Sequence, residues 1–162
     1  MTHAAGTVAV TLPTDTSVLL TRAFAAPPQL LYRTCTEPDL VRRWWSGGTG
    51  EVAVAELDLR IGGRWRFVVA GDGYEVGVHG VYRELVPGAR IVCTEVYEGH
   101  PDGEAGAALC TYTFRGAPGH TVVALLTAMR TREDRDALLD SGMHEGVHAS
   151  WGLLEQVALA LR

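Results

Sequence analysis

The sequence predicts an α+β fold in which a curved antiparallel sheet of about six or seven strands wraps around one long C-terminal helix. Three observations lead to this prediction. Short segments rich in β-branched and apolar residues recur between turns that contain glycine or proline. Two short helical segments follow the first strand, and the last segment has an apolar residue at every third or fourth position. Since no long helical crossover separates the later strands, they are expected to pair antiparallel.

The first strand is predicted at Ser17–Phe24 and ends before the proline pair at positions 27 and 28. Two short helices are then predicted at residues 29–35 and 39–45, where proline is tolerated in a first helical turn. The remaining strands are predicted at residues 51–59, 64–70, 74–85, 90–97, 107–114 and 121–130. Gly62-Gly63 and Pro87-Gly88 are typical of tight turns between strands.

The C-terminal segment has the period of an amphipathic helix of about five turns. Its apolar stripe consists of Met143, Val147, Trp151, Leu154, Ala158 and Leu161. The helical region is expected to start at Thr131 or at Asp140, with Gly142 as a break before the long helix. A sheet that curls around such a helix can enclose apolar space, which is where small molecules bind.

Length and composition indicate one folded domain, with residues 1–15 as a partly ordered lead-in and residues 16–162 as the domain. A chain of 162 residues can bury roughly 70% of its unfolded surface. The net charge of −5 and the absence of a basic stripe exclude nucleic acid as the expected partner. No signal peptide, membrane span or paired CxxC motif is visible, which favours a reduced, cytoplasmic protein.

Four stretches of the sequence resemble the activator of heat-shock protein 90 ATPase homologue family, within the START-like, birch-pollen-allergen-like (SRPBCC) superfamily. They are RAFAAPPQLLYRTCTEPDLVRRWW (22–45), DLRIGGRWRF (58–67), GVYRELVPGARIVCTE (80–95) and SGMHEGVHASWGLLEQV (141–157). The resemblance implies a helix-grip fold. It does not choose a function, because the superfamily includes lipid carriers, polyketide cyclases, hormone receptors and co-chaperone domains.

The string HEGVH, from His144 to His148, matches the HExxH motif of zinc metalloproteases. A catalytic zinc needs a third protein ligand, yet no histidine follows His148. The extended motif would require glycine and histidine where this chain has Trp151 and Leu154. A protease is therefore not expected. The two histidines are expected to flank the buried stripe, with metal binding by the pair alone as the alternative.

In the predicted strand at 64–70, aromatic residues alternate with arginines, so Trp65 and Phe67 share one face. We expect this face to point at the C-terminal helix. Trp44 and Trp45 close the second short helix just before a glycine pair and are expected at the mouth of a cavity. The alternative is that all four tryptophans only fill the core.

The strand at 90–97 has two alternating faces, and periodicity does not decide which face points inward. One face carries Ile91, Cys93, Glu95 and Tyr97. If this face lines the cavity, Glu95 is a carboxylic acid in apolar surroundings with a raised pKa, able to bind a polar group or act as an acid or base. The alternative is a glutamate on the rim, paired with an arginine.

These patterns favour a non-catalytic protein that binds a small hydrophobic or aromatic molecule between the sheet and the C-terminal helix. The residues expected to contact the ligand are Trp45, Trp65, Phe67, Cys93, Glu95, Tyr97, Tyr112, Met143, His144, Val147 and Trp151. No catalytic residue, metal site or cofactor is assigned, and a homodimer stays open. The alternatives are an enzyme of the polyketide cyclase or aromatase type and a co-chaperone-like domain that binds another protein.

Overall fold

The computed structural model describes residues 6–162, which contain a single curved antiparallel sheet. Its eight strands are β1 (Ala9–Thr11), β2 (Ser17–Phe24), β3 (Glu51–Leu57), β4 (Arg64–Gly71), β5 (Tyr74–Val86), β6 (Arg90–Tyr97), β7 (Ala108–Ala117) and β8 (His120–Ala128). They lie in the order β1-β2-β8-β7-β6-β5-β4-β3. The predicted α+β fold is confirmed, with one strand more than the expected six or seven.

The additional strand, β1, lies within the predicted lead-in at residues 1–15. Its three residues pair antiparallel with β2, with Val10 opposite Leu20. Residues 1–5 of the lead-in lie outside the described part of the chain. β2 also pairs along its whole length with β8, so the first long strand lies beside the last one.

Four α-helices accompany the sheet in the described residues: α1 (Pro28–Thr36), α2 (Pro38–Val41), α3 (Arg132–Asp140) and α4 (Met143–Leu159). Both α1 and α2 begin with a proline. Proline lacks a backbone N–H, but the N–H groups in the first turn of a helix form no hydrogen bond within the helix, so none is lost. The helix predicted at 39–45 ends at Val41, and the following residues form turns. The indole N–H of Trp44 donates to the carbonyl of Thr34 (3.0 Å), which anchors these turns to α1.

The break expected before the long helix occurs at Gly142. The hydroxyl of Thr131 accepts a hydrogen bond from the N–H of Asp134 (3.1 Å) and caps α3. Gly142 then has a φ of 82°, a conformation that costs other residues about 1–2 kcal/mol. This turn lets α4 begin in a new direction at Met143.

α4 packs on the inner face of the sheet, the face that the helices cover. The rings of Trp151 and Phe24 lie 5.7 Å apart. One turn further along α4, the carboxylate of Glu155 pairs with the guanidinium of Arg22 at 3.3 Å, and Arg22 is only 4% exposed. An apolar contact and a buried ion pair therefore hold this helix against β2.

Within residues 6–162, no helix combines the length and the apolar character needed to cross a lipid bilayer.

Candidate ligand-binding site

An aromatic cluster covers the inner face of β4. The ring centroid of Trp45 lies 4.9 Å from that of Phe67 and 6.3 Å from that of Trp65, and Trp65 and Phe67 are 5.0 Å apart. Such edge and tilted contacts are the favoured geometry of aromatic pairs. The free space that remains here is about 40 Å³, enough for about one water molecule. The rings therefore fill most of this part of the inner face themselves.

The indole of Trp65 lies over Gly80, its neighbour on β5. A side chain at position 80 would come within 2.6 Å of the indole nitrogen and within 1.8 Å of the carbonyl oxygen of Thr94. Only glycine fits there without moving the backbone. The Trp65 N–H is buried and has no hydrogen-bond partner in the described part of the chain, so the cluster contains one unsatisfied donor.

A much larger cavity, of about 420 Å³, lies beyond the cluster along the same face of β6. Its walls come from β6, β7, β8, α3, the start of α4 and residues 98–107, which we call the β6–β7 connection. The lining residues are Glu95, Tyr97, His100, Gly103, Gly106, Ala108, Thr127, Met129, Asp134, Ala137, Leu138, Ser141, Gly142 and Met143. Its volume falls within the range of pockets that bind small molecules, roughly 300–1,000 Å³.

Small residues on facing walls explain why this space is open. Ala108 lies directly opposite Glu95 in the register of β6 and β7, and Ala137 faces the cavity from α3. Three glycines complete the lining where the connection and the α3–α4 turn approach. Because these positions carry little or no side chain, the walls meet without filling the volume between them.

Glu95 lines the cavity from β6. Its Oε2 accepts a hydrogen bond from the thiol of Cys110 (3.5 Å). Burial raises the pKa of this carboxyl, while the Cys110 thiol and the nearby Tyr97 phenol oppose the rise. Tyr97 is 45% exposed as a whole residue, but desolvation of its phenol and the adjacent Glu95 raise the pKa of this group. The cavity therefore contains a carboxyl group that can be protonated more easily than a glutamate in water.

Burial also raises the pKa of the three cysteine thiols near the two spaces. Cys93 and Cys110 are cross-strand neighbours on β6 and β7 and are both buried. Burial raises the pKa of both thiols, and it raises the pKa of Cys35 to about 12. Since the thiolate is the nucleophilic form, these side chains behave as small apolar groups at neutral pH.

The β6–β7 connection is held to the sheet from both sides. On one side, the two ring nitrogens of His79 contact the carboxylates of Glu98 (2.9 Å) and Glu104 (2.8 Å). On the other, the guanidinium of Arg130 donates to the carbonyl of Ala105 (2.7 Å) and lies 3.4 Å from Asp102. These contacts fix one wall of the cavity.

The structure divides the predicted ligand-contacting residues into three groups. Five line the small space in the aromatic cluster, namely Trp45, Trp65, Phe67, Cys93 and Tyr112. Three line the large cavity, namely Glu95, Tyr97 and Met143. Three line neither space, namely His144, Val147 and Trp151. The inner face of β6 is the one that carries Cys93 and Glu95, which settles the orientation that periodicity left open.

The three residues on α4 that line neither space have other surroundings. The imidazole of His144 is hydrogen-bonded to the carbonyl of Val8 through Nε2 (3.0 Å). Val147 is partly buried against the core, and Trp151 is buried against Phe24. In residues 6–162, no three His, Cys, Asp or Glu side chains are grouped so as to hold a metal ion.

Several lining residues were not among those predicted from the sequence, chiefly Asp134, Ala137 and Leu138 on α3 and His100 in the β6–β7 connection. The sequence indicated a short helix before Gly142 but contained no signal for where it would pack. The polar, glycine-containing segment at 98–107 is typical of an exposed loop. Its place at the cavity depends on contacts with His79 and Arg130, which are distant in sequence.

Comparison with known proteins places this geometry in context. Residues 25–158 match the profile of a family described as "Activator of Hsp90 ATPase homolog 1-like protein". A comparison with curated protein sequences finds no match.

Solved structures share the fold over nearly the whole chain. A crystal structure from Rhodobacter sphaeroides is similar over 96% of this chain and 99% of that one, with 25% identity and a TM-score of 0.87. A crystal structure from Nitrosomonas europaea covers 93% of this chain and 98% of its own, with 20% identity and a TM-score of 0.82. One from Mycobacterium smegmatis covers 93% and 96%, with 21% identity and a TM-score of 0.82.

Proposed function

The chain belongs to the family of activator of Hsp90 ATPase homolog 1-like proteins, and from this membership and the cavity we propose that it binds a small hydrophobic or aromatic molecule between the sheet, α3 and the start of α4. The observation that carries the proposal is the cavity of about 420 Å³. Its apolar walls would bind the body of a ligand, and its few polar groups would orient it.

The sizes of the two spaces on the inner face support a location for the proposed ligand. The aromatic cluster leaves about 40 Å³, which is too small for an organic molecule. On the same face of β6, Cys93 lines this small space, and Glu95, two residues further along the strand, lines the large cavity. Ligand binding is therefore proposed at the cavity under α3, with the aromatic cluster as a rigid support beside it.

The test is thermal denaturation against a panel of uncharged aromatic and aliphatic compounds. A ligand at 100 times its Kd stabilises the folded state by about 2.7 kcal/mol. Ala137→Trp would place an indole in the cavity from the α3 side and should abolish the shift. Glu133→Trp is the matched control, since Glu133 is exposed on α3 and does not line the cavity.

Two results would contradict the proposal. One is a panel in which no compound shifts the melting temperature of the wild-type chain. The other is a ligand that binds Ala137→Trp as tightly as it binds the wild type, since the molecule would then lie elsewhere. Mass spectrometry of the intact protein under native conditions would identify any molecule that co-purifies.

A second candidate function is enzymatic, namely cyclisation or aromatisation of a polyketide chain. The observation that favours it is Glu95, a carboxyl with a raised pKa beside the Tyr97 phenol in the lining of the large cavity. A positioned acid or base of this kind typically accelerates a proton transfer about 10²–10⁴-fold. Incubation with a linear polyketide thioester tests it: product formation should fall about 100-fold in Glu95→Gln, and unchanged turnover in that variant would remove the enzyme assignment.

A further inference from the structure

The charges around the large cavity indicate which ligands it prefers. Two carboxyl groups line it from opposite walls, Glu95 from β6 and Asp134 from α3. Neither forms an ion pair with a basic side chain within residues 6–162. No lysine or arginine lines the cavity. Apart from His100, the lining therefore contains no side chain that can carry a positive charge.

The guanidinium of Arg130 makes its contacts in the β6–β7 connection. Arg130 follows Met129 of the lining, but it donates to the carbonyl of Ala105 and lies 3.4 Å from Asp102 in the β6–β7 connection. His100 is the one basic side chain in the lining, and its Nδ1 accepts a hydrogen bond from the N–H of Asp102 (3.1 Å).

We propose that the ligand of this cavity is an apolar molecule with a basic amine, whose ammonium group pairs with Glu95 while its hydrocarbon part contacts the apolar walls. The inference rests on the proposed binding function and narrows its ligand class. An ammonium group would give Glu95 the charged partner that it lacks, in surroundings where such a pair is screened less than in water. A carboxylated ligand would instead bring a third carboxyl group into the same space.

The pairing has a consequence for pH. The titratable groups that interact with Glu95 are the thiols of Cys110 and Cys93 and the phenols of Tyr97 and Tyr112. His100 and Asp134 line the same cavity. Burial raises the pKa of Glu95, so in the free protein this carboxyl takes up a proton at a higher pH than a glutamate in water. An ammonium ligand would bind the ionised form and release that proton. Amine affinity should therefore rise with pH until Glu95 is fully ionised in the free protein.

Three probes with one phenylbutyl skeleton test the proposal: 4-phenylbutylamine, 4-phenylbutan-1-ol and 4-phenylbutanoate. Titrations followed by NMR report both affinity and location, through the amide signals of the lining residues. We expect the amine to bind at least tenfold more tightly than the alcohol, and the carboxylate to bind most weakly. Calorimetry in two buffers of different ionisation enthalpy should detect proton release with the amine and none with the alcohol.

Variants separate charge pairing from simple burial. Glu95→Gln should weaken the amine at least tenfold and change the alcohol less than threefold. Asp134→Asn, on a half-buried position of α3, should weaken the amine by a smaller factor, and it keeps the test available if Glu95→Gln does not fold. Glu133→Gln is the control, as an exposed carboxylate one residue away that does not line the cavity.

The outcomes distinguish this inference from the function on which it rests. If the alcohol binds at the cavity as tightly as the amine, or if Glu95→Gln leaves amine affinity unchanged, the amine preference is wrong and the binding function stands. If none of the three probes shifts the lining signals, the amine proposal is overturned, and the broader function is judged by its own panel of uncharged compounds.

Discussion

Replacing Glu155 with glutamine tests how α4 is held against the sheet. Glu155 accepts hydrogen bonds from both terminal nitrogens of Arg22 (3.3 and 3.4 Å) and from the N–H of Ala25 (2.9 Å). Glutamine has nearly the same shape, and its carbonyl oxygen can keep the bond to Ala25. The substitution therefore removes the charge and leaves the Arg22 guanidinium, 4% exposed, without its counter-ion.

The expected cost follows from this burial. Removing one partner of a fully buried ion pair typically destabilises a protein by about 3–5 kcal/mol. Glu155 is 22% exposed, and its bonds to Arg22 are long, so water can solvate part of the remaining charge. We expect a loss of about 2–3 kcal/mol in the free energy of unfolding, which lowers the melting temperature by roughly 4–12 °C for a chain of this size.

Urea denaturation at neutral pH, followed by tryptophan fluorescence, measures this loss. The control is Glu37→Gln, which breaks the ion pair between Arg33 in α1 and Glu37 just after its end, where the side chains are 51% and 44% exposed. That change should cost less than about 1 kcal/mol. Equal losses in the two variants would refute the reasoning. Replacing both members, Arg22→Met with Glu155→Leu, should recover most of the stability, because no buried charge then remains.

Two further predictions concern the helix break and the surface histidine. Gly142→Ala should destabilise the protein by about 1–2 kcal/mol, because the φ of Gly142 is 82°. Gly146→Ala should instead stabilise α4 by up to about 1 kcal/mol, because no atom lies near the added methyl group. Thermal denaturation compares the two variants, and a loss of stability at both positions would contradict the placement of the helix break at Gly142. Glu104 and Glu98 raise the pKa of His79, so its stabilising contribution is present below its unfolded pKa of about 6.5 and is lost as pH rises through the higher folded value. In urea denaturation, His79→Asn should therefore lower the free energy of unfolding by up to about 1 kcal/mol at pH 5.5 and by little at pH 9.5. Glu98 stays ionised at both pH values, because the Arg66 guanidinium holds its pKa at about 2. An equal loss at both pH values would argue against a charged His79.

The helix break shows what local sequence can predict. A capping threonine at 131, a glycine at 142 and an apolar period from Met143 are signals carried by neighbouring residues, and the structure has helix ends at these positions. The strand at 90–97 was also predicted with its observed bounds. Such signals depend on backbone preferences over a few residues and need no knowledge of distant contacts.

The inward face of β6 shows what local sequence cannot predict. Both faces of this strand carry apolar residues, and Val92 and Val96 on one face are buried like Ile91 and Cys93 on the other. Because both faces of the strand are apolar, the alternation of residues does not show which face points toward the helices. Only the pairing with β7 and the position of α3 place Glu95 in a cavity rather than at the rim.

The apolar stripe of the C-terminal helix was assigned both to the core and to the ligand, and tertiary packing separated these roles. Trp151 fills space against Phe24, while Met143 at the start of α4 reaches the cavity. The sequence by itself determined the α+β fold, the order of its elements from Ser17 onward and the long amphipathic helix, because hydrophobic periodicity and turn residues are local. The tertiary structure decided where an empty volume remains, because that depends on which small side chains meet from strands and helices far apart in the chain.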